Sequence, residues 1–208
     1  SNCVKGLIDE VNLPVKSSAT AILKMSEEDR EKAVQLFSGE GETSAEKGIA
    51  YHRFLELYED FSVRDRESVQ RQKDSFLKKG LITETQYALL DTDTLTEIVN
   101  IPIFSTLGKA ELFREQEFLC MLPANEILNT RSHDGVLVQG AIDLLAKTGD
   151  GYKVIDYKYS HKNDEEIIAT YSEQLALYKK AVSLITHTPP DRIETVIVNI
   201  FRKSQINL

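Results

Sequence analysis

Cysteine is scarce in this chain of 208 residues: Cys3 and Cys120 are the only two, they form no Cys-x-x-Cys pair, and they are too few for a four-thiolate zinc or iron–sulfur site. No apolar run approaches the roughly 20 residues that cross a bilayer, and no signal-peptide pattern opens the chain. A reduced, cytoplasmic setting with no membrane partner is the expectation. Positive charge is also short, since 25 Lys and Arg face 33 Asp and Glu for a net charge of −8. Split at Gly108, the first part carries 13 basic and 19 acidic side chains and the rest 12 and 14, so the acidity is concentrated toward the N-terminus. A chain without a broad basic footprint is not built for strong autonomous binding to nucleic acid.

What is present is a hairpin with acids in unusual places. Two apolar-rich runs, residues 136–147 and 152–159, flank Thr148-Gly149-Asp150-Gly151, whose glycines mark a β-turn. Asp143 and Asp156 each stand where a strand is normally apolar, and the midpoint between them falls inside the turn. A regular antiparallel hairpin therefore sets them opposite each other, about 5 Å apart at Cβ. Two carboxylates that close need positive charge between them. A divalent cation meets that need, and Lys158, two residues beyond Asp156, shares its face. Paired acids beside a lysine are the minimum apparatus for metal-dependent phosphodiester hydrolysis. The alternative is a surface hairpin with scattered charges, but an unpaired charge among Val, Ile, Leu and Ala costs several kcal/mol.

At this length one good core with a small helical annex is expected. Residues 3–24, with Pro14 and Ser17-Ser18, read as a connector, and a short helix is expected over 26–37. Thr43 with Glu46 reads as a capping box opening a helix to about Phe61, with Ile49, Phe54, Leu57, Tyr58 and Phe61 at apolar spacing. Gly48, His52 and Glu56 fall one turn apart on it. A histidine among apolar residues is ordinarily a hydrogen-bonded packing residue, but a glycine one turn earlier admits a close neighbour. Helices are expected over 64–79, closed by Gly80, from a Thr83/Gln86 cap, and over 94–100 with Pro102 as breaker. Their basic residues Arg64, Arg66, Arg71, Lys73, Lys78 and Lys79 read as a solvated face.

A strand over 111–122 puts Glu115 and Glu117 on one face; either reaches the site, or both face solvent. A long helix over 164–186 has Ile167, Ile168, Tyr171, Leu175, Tyr178, Ala181, Val182 and Ile185 on its apolar side. Gln174 and Tyr178, at i and i+4, present adjacent side chains, with Gln174 either at the site's edge or a boundary residue. Pro189-Pro190 stop the helix before a last strand over 193–201. The order is helix, three strands, helix, strand, with a mixed α/β sheet covered on both faces.

The series Gly48-x-x-x-His52, Glu115, Gly140-x-x-Asp143, Asp156-Tyr157-Lys158 and Gln174-x-x-x-Tyr178 resembles, in content and order, the motifs of RecB-type nucleases of the PD-(D/E)xK superfamily. Within that superfamily it resembles the C-terminal nuclease domain of the AddA-type chains of bacterial ATP-dependent helicase/nuclease complexes. The resemblance implies a restriction-endonuclease-like αβββαβ core in a nuclease domain over 26–208, a helical insert over 62–108, and a linker over 1–25, as in a piece excised from a longer chain. It implies His52, Asp143, Asp156 and the carbonyl of Tyr157 as metal ligands, Lys158 as catalytic lysine with Asp143 and Asp156, a supporting Glu115, and Gln174 and Tyr178 as residues that orient the site and contact DNA. Mg²⁺ is the implied cofactor, with Mn²⁺ admitted by the imidazole.

The implied activity is cutting of single-stranded DNA, on the 3′-terminated strand, as an exonuclease in double-strand-break repair and recombination. The implied partners are a helicase domain of the same polypeptide and a second helicase/nuclease subunit. No Walker A sequence is present, so ATP would be used in the helicase domain. Tyr159 stands where threonine commonly follows the lysine, and the cysteine quartet of the iron–sulfur relatives is missing. The alternative from another class is a catalytically silent nuclease-like module for strand guidance or subunit contact.

Overall fold

A computed structural model describes residues 16–18, 41–127, 131–149 and 151–208. The helix expected over 26–37 lies outside them. Helix α1 (Gly41–Leu57) is followed by four shorter helices, α2 (Arg66–Lys78), α3 (Glu84–Leu89), α4 (Thr92–Val99) and α5 (Pro102–Ser105). A three-residue strand β1 (Lys16–Ser18) precedes them. Then come β2 (Glu111–Pro123), the short α6 (Ala124–Ile127), the hairpin β3 (Gly135–Thr148) and β4 (Gly151–Lys158), the long α7 (Asp164–Thr186), β5 (Ile193–Asn199) and β6 (Ser204–Asn207). The αβββαβ order of α1–β2–β3–β4–α7–β5 is the one expected.

The ends of these elements follow local chemistry. Asp65, Thr83, Asp91 and Asn163 cap α2, α3, α4 and α7 by accepting backbone N–H groups, and the Thr83/Gln86 pair forms the reciprocal box read from the sequence. Gly80 closes α2 with φ +67°. Several boundaries differ. Helix α1 starts at Gly41, ahead of Thr43, and ends at Leu57 rather than Phe61. Asp91 rather than Thr94 starts the region's next helix, and Pro102, expected only to break it, also opens α5, where its missing N–H costs nothing.

The sheet has six strands. Strand β3 carries β2 antiparallel along its whole length on one side; on the other it pairs first with β1, then with β4. Strands β4 and β5 are parallel, joined across one face by α7, and β6 completes the edge. The connector read over 3–24 thus contributes a strand, and the last expected strand is two strands joined by a tight turn. Helices α1–α5 pack on one face over Leu144, Ala146, Ile155, Tyr157, Val196 and Val198. Helix α7 packs on the other over Phe118, Val138, Ile142, Leu145, Val154 and Ile197. Both faces are covered, as the doubly apolar strands implied. Three residues assigned to buried stripes are exposed instead: Ile49 at 62%, Ile168 at 38% and Ile185 at 49%.

One irregularity positions everything that follows. In β3, even-numbered Val136, Val138 and Ile142 face α7, while Leu144 and Ala146 face α1. In β2, Phe118, Cys120 and Leu122 face α7 while Leu112 packs on the α1 side. The alternation of the pleat reverses in both strands at one point, between Arg114 and Gln116 and between Ile142 and Leu144. Glu115 has φ +46° there.

Candidate active site

The sheet forks at that point. The last β3–β4 ladder pair is Leu144–Ile155, so Asp143 and Asp156 come next, where the strands part. Across β2 the register puts Glu115 opposite Asp143, though the pair makes no ladder bridge. Three carboxylates from three neighbouring strands therefore meet in one row. Helix α1 crosses above them and delivers His52. It passes close at Gly48, where a Cβ would stand 3.3 Å from the Cβ of Tyr159. Gly140 is a similar close approach on the other face, where a Cβ would stand 2.8 Å from the Phe118 ring and 3.2 Å from that of Tyr178.

His52 Nε2 donates to the carbonyl of Tyr157 at 2.8 Å. A carbonyl only accepts, so Nε2 carries a proton and the ring turns its Nδ1 toward Asp143 Oδ2, 3.9 Å away. With Nδ1 unprotonated, both atoms offer lone pairs, and a cation suits the gap between them. The same carboxylate oxygen accepts the Tyr157 N–H at 2.6 Å. Ligand atoms of His52, Glu115 and Asp143 all lie within 4.8 Å of one another. Imidazole nitrogen, carboxylates and a nearby carbonyl form a donor set for Mg²⁺ or Mn²⁺ rather than for a thiophilic metal. The residues present fit a divalent ion.

Burial, then the neighbouring charge of Asp156, raises the Asp143 carboxyl to about 6, with His52, the Tyr157 N–H and Lys158 opposing. Glu115, whose side chain still reaches solvent, is raised to about 6 by desolvation first and then by Asp143, Glu56 and Asp156. These are the shifts of acids that are desolvated first and crowded by one another second. Asp156 is 3% exposed, and its Oδ2 accepts no aligned hydrogen bond; its contact is the Lys158 ammonium at 2.5 Å. Burial pulls the Lys158 pKa down, but Asp156 and then Asp143 outweigh it and the pKa is raised, so the lysine is a cation. Its Nζ also lies 4.8 Å from the centre of the Tyr171 ring.

Gln174 Nε2 donates to Tyr178 Oη at 3.0 Å, and Tyr178 packs edge-on against Phe118 with its ring centroid 5.5 Å away. Burial, then Asp156, pushes the Tyr178 phenol up to about 12. His52, Asp143, Asp156, Tyr157, Lys158, Gln174, Tyr178 and Glu115 therefore all converge on the fork. Glu117 is exposed and outside the cluster, which resolves the choice between the two glutamates. Glu56 pairs with Arg53 at 2.6 Å. One feature went unread in the sequence: Tyr171 flanks the lysine. It had a signal, since Tyr171 precedes Gln174 by three residues and Tyr178 by seven, on one helical face.

The model of the PD-(D/E)XK nuclease superfamily matches residues 23–206. Similar proteins include ATP-dependent helicase/nuclease subunits of the AddA type from Syntrophomonas wolfei, 29% identical over 68% of this chain, from Alkaliphilus oremlandii, 32% over 69%, and from Bacillus velezensis, 34% over 71%. The matched stretch makes up 12 or 13% of each of those proteins, so this chain corresponds to about one eighth of their length. A fork that gathers a histidine, three carboxylates and a lysine, in a sheet of αβββαβ order, agrees with that match: this chain belongs to the PD-(D/E)XK nuclease superfamily.

Proposed function

We propose that this chain is a divalent-metal-dependent deoxyribonuclease domain that hydrolyses single-stranded DNA, with Mg²⁺ as the working ion. One observation carries the reading: His52 Nδ1 and Asp143 Oδ2 face each other 3.9 Å apart beside Glu115, one step from the Asp156–Lys158 pair. His52, Asp143, Asp156 and the Tyr157 carbonyl would hold the ion, with Glu115 beside them. When bound, it supplies positive charge to the scissile phosphate and lowers the pKa of a water. Lys158, fixed between Asp156 and the Tyr171 ring, orients the attacking oxygen and steadies charge that develops on the phosphate. The Gln174–Tyr178 pair borders the same cleft and positions the strand.

The similarity to these helicase/nuclease proteins supports two partners, a helicase region in the same polypeptide and a second helicase/nuclease chain. The substrate would then be unwound 3′-terminated strand during double-strand-break repair in the cytoplasm. The net charge of −8 supports delivery of substrate by such partners over capture by this domain alone. The test is cleavage of a labelled single strand by this chain with Mg²⁺ or Mn²⁺. Asp156→Ala and Lys158→Ala are each expected to fold and to lose metal-dependent cleavage. Cleavage at the parent rate in both variants would overturn the assignment.

A further inference from the structure

One turn along α1 from His52, on the α1 side of the sheet, lies a pocket of about 310 Å³ between α1, the α3–α4 junction and the turn that joins β5 to β6. Lys47, Tyr51, Asp91, Tyr159, Phe201 and Lys203 are among its walls. Tyr159 follows Lys158 directly, so the pocket adjoins the site while opening on the other side of β4. Each residue of α1 advances the helix about 1.5 Å, which sets Gly48 and the pocket's edge about 6 Å from His52 along its axis.

Three of the lining side chains, Tyr51, Tyr159 and Phe201, are rings, and His161 lies against Phe201 outside the lining. Tyr159 stacks on Tyr51 at 5.8 Å and 28° and meets Phe201 edge-on at 5.8 Å, and the His161 ring lies 3.8 Å from that of Phe201. Phe201 is 42% exposed, in a turn of four residues closed by the Asn199–Ser204 pair. Such turns favour small polar residues, and an exposed phenyl ring there adds nothing to the turn itself. The platform is nevertheless held firmly. Arg202 donates to the carbonyl of His161 at 2.9 Å and to that of Lys162 at 2.7 Å, tying this turn to the loop after β4.

The charges nearly balance. Lys203 pairs with Glu97, and Asp91 accepts the Thr94 N–H as the cap of α4, while Lys47 is exposed at the rim. A site for phosphate alone would be more basic, whereas fixed aromatic faces with modest positive charge are what an unpaired nucleobase requires. We propose that this pocket is a base-stacking subsite for single-stranded DNA, taking a base that neighbours the phosphate bound by the ion that His52 and Asp143 would hold. A base within a duplex is already stacked and is not offered to it, so the subsite gives preference for single strands without a basic track. The proposal rests on the nuclease reading above.

The test uses this chain with single-stranded oligonucleotides carrying one 2-aminopurine at successive positions, with Ca²⁺ in place of Mg²⁺ so that the site holds an ion while cleavage is suppressed. Quenching at one or two adjacent label positions is expected. Phe201→Ala should lose it and bind about tenfold more weakly, His161→Ala should weaken it, and Phe201→Tyr should restore it. Thermal melts serve as the control that these variants fold. Parent-like affinity and quenching in Phe201→Ala and His161→Ala, or no quenching by the parent at any position, would overturn the subsite. Cleavage is read separately with Mg²⁺: quenching without cleavage removes the nuclease reading and leaves the subsite, and cleavage without quenching does the reverse.

Discussion

Glu115 stands across from Asp143 in an otherwise continuous register, and theirs is the position in that run where the β2–β3 ladder has no bridge. The reversal of the pleat passes through both residues, and Glu115 takes φ +46°, a conformation that costs a residue with a side chain about 1–2 kcal/mol. The strain brings a third carboxylate to the gap between His52 and Asp143.

If that strain is held for the site, glycine at this position relieves it while alanine does not. Glu115→Gly is expected to be more stable than Glu115→Ala by about 1 kcal/mol in urea melts. Both should bind Mn²⁺ more weakly than the parent by calorimetry. Equal melts for the two variants would mean that the backbone at 115 carries no strain.

The two glycines that seat aromatic rings should respond differently to the same change. Gly140→Ala drives a methyl to 2.8 Å from the buried Phe118 ring and is expected to cost about 1–3 kcal/mol. Gly48→Ala meets only the Tyr159 Cβ at 3.3 Å, and the gain in helix propensity, about 0.5–1 kcal/mol, offsets the contact. Its stability should stay within about 0.5 kcal/mol of the parent. Phe118→Leu in the Gly140→Ala background should recover part of the loss, because the obstacle is the ring. Denaturant midpoints of the four proteins decide it.

The facing aspartates were legible because the turn fixes the register: Thr148 pairs with Gly151, Gly149 has φ +57°, and every pair back to Leu144–Ile155 follows. Helical period put Gly48 and His52 on one face of α1, but the place of His52 at the site came from the resemblance. The reversal at Glu115 and Asp143 was not, since strict alternation assigns faces by parity and a paired reversal leaves no mark in the sequence. Ile168 lies at the margin of the stripe that α7 buries, Ile185 follows that stripe into the last turn, where less packs over it, and Ile49 falls opposite the face that Ala50, Tyr51, Phe54 and Leu55 bury. Strand β6, Ser204–Asn207, carries no apolar run, and its turn is made by Lys203 at φ +55° rather than by glycine.

Tyr171 should matter through its ring and not through its hydroxyl. With Lys158 Nζ 4.8 Å from the ring centre, the contact holds the ammonium against Asp156. Tyr171→Phe keeps that face and should cleave like the parent. Tyr171→Leu removes about 0.5–2 kcal/mol of orientation, a fall in kcat of about 2- to 30-fold with little change in KM. A fall in Tyr171→Phe equal to that in Tyr171→Leu would assign the role to the phenol.

Asp143 allows the crowding of the acids to be measured without catalysis. Its carboxyl is raised to about 6, so between pH 6 and the ordinary carboxylate value near 3.8 the folded protein binds a proton that the unfolded chain has released. Stability from this group therefore falls as pH rises through that window, and above pH 6 the protein carries the whole penalty. Asparagine removes the charge yet can still accept the Tyr157 N–H. In EDTA at pH 7, Asp143→Asn should be more stable than the parent by about 2 kcal/mol, less than the full shift implies because the side chain is 16% exposed. The difference should close toward pH 4. Mn²⁺ should reverse the order, stabilising the parent at pH 7 and leaving Asp143→Asn nearly unmoved, with the effect on the parent fading below pH 6 as Asp143 and Glu115 take up protons. Superimposable melts for parent and variant at every pH in EDTA would show that the fork imposes no electrostatic strain.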